Sequence, residues 1–180
     1  MYFEVLLNKT KLILKVGDIT LEDTEAIVNA ANPSLLGGGG VDGRIHSVGG
    51  PKILEECKKI GGCKPGNAVI TSGGNLRAKF VIHTVGPIYG GGAYKEDLIL
   101  KNAYTNSLLL AKEKGIVSIS FPSISTGAYG YPVDMAATIA MQAVIDFIKK
   151  HTELNEIRFV LFKEHIFTAY KNALEKIINA

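Results

Sequence analysis

Asn29, Asn32 and Asp42 carry the side chains in this sequence best suited to work on a polar substrate. They fall within fourteen positions, and four consecutive glycines, Gly37 to Gly40, separate the second asparagine from the aspartate. A carboxamide offers both a donor and an acceptor, which suits sugar hydroxyls or a positioned water. A carboxylate at Asp42 can take a proton from such a water, or it can cap the helix that follows; the sequence leaves both readings open. Each asparagine also has a plainer reading, an amide folded back onto its own turn. Four glycines in a row are costly to order and give a core nothing, so the run makes sense where backbone N–H groups must come close to a ligand. A phosphorylated ligand fits that description.

A second such stretch is Ser125-Thr126-Gly127-Ala128-Tyr129-Gly130, whose consecutive N–H groups and hydroxyls are what a diphosphate nest needs. Tyr129, set among small residues, is better placed as a wall against a sugar than as core. His46 lies one turn beyond Asp42 and reads as a satisfied structural histidine, as does His83 behind Val81-Ile82. Cys57 reads as an apolar-face residue and Cys63 as a loop residue; six apart, they make neither a zinc pattern nor a disulfide framework. No metal site and no cofactor is expected. Gly38 to Gly43 formally matches G-x-G-x-x-G, but nine positions separate Val28 from Gly37 and no acidic residue closes a second strand at the expected spacing. A P-loop is excluded because no Gly-Lys-Ser/Thr follows.

These residues need strands and helices to hold them. Phe3 to Leu7 and Lys11 to Val16 read as strands, paired as a hairpin or as neighbours. Thr20-Leu-Glu-Asp23 fits a capping box, which puts Asp18 just ahead of a short helical turn. Ala26-Ile27-Val28 leads into the asparagines, and a helical pattern through Ile45, Val48, Ile53 and Leu54 follows the glycines. Further strands are expected at Ala68 to Thr71, Phe80 to Val85, Val117 to Phe121 and Ile157 to Phe162; helices at Lys95 to Lys114, Asp134 to Lys150 and His165 to Ile178. Strands alternating with helices predict an α/β sandwich with a mostly parallel sheet, which binds its ligand outside the carboxyl ends of the strands. Four loops should meet there: those after Val28, Val85 and Phe121, and the one near Phe162.

At 180 residues, 47 % apolar and 21 % charged, the chain is expected to fold as one domain over 1–180. A net charge of +3 without a dense Lys/Arg cluster favours an anionic ligand over nucleic acid. No apolar run has the length of a membrane span, and the N-terminus lacks a signal-peptide pattern. A cytoplasmic monomer is the default expectation.

Five collinear motifs then carry a resemblance over nearly the whole chain: Gly17-Asp18-Ile19-Thr20, Ala26 to Asn32, Gly37 to Gly43 with Ile45-His46, Val81 to Pro87, and Pro122 to Pro132. Together they resemble the macrodomain family, most closely its MacroD-type ADP-ribosyl hydrolases. The resemblance implies a three-layer α/β/α fold with a mixed, mostly parallel sheet and ADP-ribose bound in a crevice at the strand ends. It implies that Asp18 meets the adenine amine with Ile19 alongside, and that Phe162 lies against the adenine. Gly39, Gly40, Val41 and Ser125, Thr126, Gly127, Ala128 would line the phosphates, with Tyr129 by the distal ribose. Asn32 and Asp42 match the catalytic pair, with Asn29 and His46 in support. The implied reaction is hydrolysis of the ester joining the distal ribose to an acidic side chain of a mono-ADP-ribosylated protein, and deacetylation of O-acetyl-ADP-ribose, without a metal. Either Asp42 is the base for water, or the ligand's phosphate orients that water while Asp42 and Asn32 fix the ribose. Two other readings compete: a module that binds ADP-ribose without turnover, and an NAD(P) oxidoreductase, disfavoured by the loop length. The helix after Asp42 departs from the family in carrying fewer alanines, at Arg44-Ile-His-Ser-Val.

Overall fold

In the computed structural model, which describes residues 1–180, seven strands form one sheet. The strands are β1 (Tyr2–Leu7), β2 (Thr10–Val16), β3 (Ala26–Ala30), β4 (Ala68–Ser72), β5 (Phe80–Thr84), β6 (Ser118–Phe121) and β7 (Glu156–Leu161). The helices are α1 (Gly40–Gly49), α2 (Pro51–Ile60), α3 (Glu96–Glu113), α4 (Val133–Lys150) and α5 (Glu164–Ile178). Spatial order is β1-β2-β7-β6-β3-β5-β4. The five inner strands run parallel, while β1 and β4 pair antiparallel at the two edges. The expected mixed, mostly parallel sheet is therefore what forms, and β1 with β2 makes a hairpin.

Because successive strand residues face opposite sides, each inner strand feeds two cores. Ala26, Val28 and Ile82 join a cluster of 33 buried residues built with α3, α4 and α5. Ile27, Val81 and Val85 join a cluster of 13 built with α1 and α2. Helices thus cover both faces, giving three layers. No helix is long and apolar enough to cross a membrane.

This alternation places the site. Asn29 shares a face with Ile27, and His83 with Val81, so both point beneath α1 and α2; the two are register partners across β3 and β5. The helix after β3 lies on one face of the sheet and the helix after β6 on the other, so the gap between these adjacent strands is a topological switch point.

Three local expectations need correction. The helical turn near Thr20 is a single 3₁₀ turn, Ile19–Leu21, and its cap is Asp18, whose side chain accepts from Thr20 N. A three-residue turn leaves no place for the reciprocal Glu or Gln of a capping box. The helical segments after the glycines start at Gly40, earlier than expected, and are two helices that meet at Gly50 with φ of 81°. Pro51 then opens α2 at its first position, where its missing N–H costs nothing. Lastly, a fifth loop, the one after β2, joins the four expected at the strand ends, because β2 lies parallel beside β7.

Candidate active site

Asp42 sits in the first turn of α1 and is 5 % exposed. Its carboxylate caps nothing: the N-cap position is Gly39. Instead Asp42 Oδ1 accepts from Asn29 Nδ2 at 2.8 Å and lies 3.3 Å from His46 Nε2. Oδ2 has no protein partner and points at the glycine loop, where a Cβ placed on Gly38 would lie 3.2 Å from it and 3.4 Å from Asn32 Nδ2. Asp42 and Asn32 therefore converge on the bare Cα of Gly38. The turn is this tight because Gly43 packs on the Gly38 carbonyl, which a Cβ at 43 would strike at 2.4 Å.

The two asparagines divide the readings open in the sequence. Asn32 makes the turn: its Oδ1 accepts from Leu35 N at 3.1 Å and Ser34 Oγ at 2.7 Å, and its Nδ2 donates to Gly37 O at 2.8 Å. One N–H of the Asn32 amide is left over. Asn29 is fully buried and reaches away from its own backbone, to Asp42 and to His83. His46 is not the fully satisfied histidine expected, since its Nδ1 is buried with no partner.

The N–H groups of Gly40, Val41 and Asp42, which open α1, donate to no protein acceptor. Such a helix start attracts anions. In the loop after β6, the N–H groups of Thr126, Gly127, Ala128 and Tyr129 are likewise unused. The loop is pinned from behind by Ser125 Oγ donating to Pro87 O at 2.8 Å and by Tyr131 N donating to Ser125 O at 2.9 Å. Ser125 has φ of 67°, the left-handed conformation that helps turn successive N–H groups to one side.

At the other end, Asp18 follows β2 and Phe162 follows β7, and the parallel pairing of these strands makes the two residues neighbours. Phe162 is 74 % exposed, an aromatic with no core to fill, and Ile19 is buried behind Asp18. Asp18 Oδ1 takes both Thr20 N and Thr20 Oγ1, while Oδ2 takes Arg44 Nε at 3.2 Å and Nη2 at 3.0 Å. Partial burial pushes the Asp18 pKa up, but the Thr20 and Arg44 hydrogen bonds outweigh it and hold the carboxyl below its usual range. Arg44 and His83 are partners that the sequence does not betray, because each depends on contacts far along the chain.

No three His, Cys, Asp or Glu side chains gather as a metal site would require. A hollow of about 960 Å³ lies elsewhere, between α2, β4 and α3, and is lined by groups such as Pro33, Cys63 and Leu109. We place the site at the strand ends, because unpaired N–H groups and polar side chains converge there and not in that hollow.

The family described as Macro domain matches residues 28–140, more than half of the chain. A macro domain-containing protein of Caldanaerobacter subterraneus is 53 % identical over 94 % of this chain and 98 % of its own. The chain belongs to the macrodomain family. An O-acetyl-ADP-ribose deacetylase of Cronobacter sakazakii is 50 % identical over 88 % of this macrodomain and 90 % of its own length. A variant of the Oceanobacillus iheyensis macrodomain, solved with ADPR, superposes with a TM-score of 0.96 at 43 % identity, covering 100 % of both chains.

Proposed function

We propose that this macrodomain binds ADP-ribose along the crevice and hydrolyses esters on its distal ribose. It deacetylates O-acetyl-ADP-ribose and releases mono-ADP-ribose from acidic side chains of proteins. The deacetylase relatives and the neighbour solved with ADPR support this reading. So does one observation in particular: a buried carboxylate, Asp42, with one oxygen held by Asn29 and His46 and the other bare beside Asn32.

In this reading Asp18 and Phe162 take the adenine, with Ile19 alongside. The free N–H groups of Gly40, Val41 and the Thr126–Tyr129 loop take the diphosphate, with Gly39 and Ser125 shaping the two turns and Gly127 and Ala128 leaving room for the phosphates. Tyr129 walls the distal ribose. Asn32 and Asp42 are the catalytic residues, supported by Asn29 and His46. Water adds to the ester carbonyl as its proton passes to Asp42 Oδ2. The bond from carbonyl carbon to ribose oxygen then breaks, the proton is returned to that oxygen, and the products are a free ribose hydroxyl and a carboxylic acid. The enzyme acts as a monomer, and two free cysteines fit a reducing cytoplasm.

Hydrolysis of O-acetyl-ADP-ribose in water labelled with heavy oxygen tests this chemistry. Label in the released acetate supports it; label in the ribose places the cleavage elsewhere; tight binding without turnover makes the protein a reader.

A further inference from the structure

His83 is fully buried and, of the residues assigned to the site, hydrogen-bonds only to Asn29. We propose that His83 is a positioning residue for the ester hydrolysis: its Nδ1 holds the Asn29 carboxamide in one orientation, and that amide aims Asp42 Oδ2 at the substrate. The inference rests on the hydrolase reading above.

The Asp42 carboxylate fixes the histidine tautomer through Asn29: a nitrogen that donates to Asp42 Oδ1 can meet His83 Nδ1 only as a donor, which leaves the ring proton on Nε2. Thr71 Oγ1, 2.9 Å from Nε2, accepts that proton while donating its own to Ser72 O at 3.0 Å. A neutral ring with its proton on Nε2 has an acceptor at Nδ1. That acceptor meets Asn29 Nδ2 at 3.1 Å. The same Nδ2 gives its other proton to Asp42 Oδ1 at 2.8 Å. Turned over, the amide would present its oxygen to the carboxylate and to a bare ring nitrogen, two repulsive contacts in a dry site.

The orientation carries a cost that the structure retains. Asn29 Oδ1 is buried without a partner, so it gives up its hydrogen bonds to water and gets none in return. A residue serving packing alone has no reason to bear it. Other groups facing the ring are Cys57 Sγ, 3.8 Å from Nε2, the His46 ring, its centroid 6.3 Å away, and the Glu56 carboxylate. Burial, reinforced by His46 and opposed by Glu56, lowers the His83 pKa to about 4, so the ring is neutral at working pH.

Two substitutions separate positioning from packing. In His83→Asn the side-chain oxygen falls near the place of Nδ1 and still accepts from Asn29. In His83→Gln the amide reaches the place of Nε2 and serves Thr71 instead. We expect kcat on O-acetyl-ADP-ribose to fall at least tenfold in His83→Gln and to stay within threefold of the parent in His83→Asn. KM and titrated ADP-ribose affinity should hardly change in either. Equal losses, or none in either variant, would overturn the inference. The ring nitrogens of the parent protein, read by nitrogen–proton correlation spectroscopy, supply an independent arm: a proton on Nδ1 overturns it, and one on Nε2 alone upholds it. A parent protein that binds ADP-ribose without turnover would refute the hydrolase reading, and the tautomer would then decide the role of His83 by itself.

Discussion

Gly127→Glu should weaken ADP-ribose binding severely while leaving the fold intact, and the structure gives reasons for both halves. A Cβ at Gly127 meets nothing within 4 Å, and Gly127 does not have a positive φ, so the substitution strains neither packing nor backbone. The new carboxylate would stand among the unused N–H groups of Thr126 to Tyr129, where the diphosphate is proposed to lie. Two unit charges about 4 Å apart repel by about 4 kcal/mol at an effective dielectric near 20. The loop is open to solvent, and screening brings the expected loss to about 2–4 kcal/mol, or ~30- to ~1000-fold in affinity. Calorimetric titration with ADP-ribose reads this directly, with Gly127→Ala as the uncharged control that should bind within about threefold of the parent. The melting temperature should not move by more than a few degrees in either variant. Parent-like affinity in Gly127→Glu would refute the reasoning, because the phosphates would then lie elsewhere.

Gly38→Ala puts a methyl 3.2 Å from Asp42 Oδ2 and 3.4 Å from Asn32 Nδ2, so kcat should fall more than about tenfold, with a smaller effect on binding; unchanged turnover would move the reacting centre away from Gly38. Arg44→Ala frees Asp18 Oδ2 from an exposed ion pair worth up to ~1 kcal/mol, and titration should show ADP-ribose binding up to about fivefold tighter. Weaker binding would mean that Arg44 itself holds the ligand. The depressed pKa of His83 predicts acid sensitivity: the unfolded chain takes up a proton near pH 6.5 and the folded one near 4, so the stability present at neutral pH drains away as pH falls through that window. Between pH 7 and pH 4.5 that amounts to roughly 2–3 kcal/mol, and urea unfolding should show the loss reduced in His83→Asn. The neighbouring Cys57 does not contribute, since burial first, then Asp42 and Glu56, push its thiol up to about 11.

Much of this architecture is legible in the residues, and the parts that are not share a physical cause. Runs such as Phe80 to Thr84 and the period of α4 declare themselves within a few turns of chain. The glycine run announces a loop with exposed N–H groups, and the structure has them. What local pattern cannot supply is register between distant segments. The pairing of Asn29 with His83 depends on how β3 and β5 align, 54 positions apart, so His83 reads locally as one more strand residue. The same holds for Asp18, where the distant Arg44 decides what the carboxylate touches. The capping box at Thr20 fails for a different reason: the aspartate two residues earlier captures the Thr20 N–H, and the turn closes after three residues. Asp42 looks like a helix cap by position, but α1 starts two residues earlier, which turns its side chain inward to Asn29.

The most direct test of the account is single-turnover hydrolysis of O-acetyl-ADP-ribose by the parent protein and by Asp42→Ala, with ADP-ribose affinity titrated on both. The account predicts that turnover falls by about 10²-fold or more in Asp42→Ala while affinity stays within about threefold, because Asp42 acts at the reacting ester rather than in holding the ligand. Turnover that survives the loss of Asp42 would contradict it.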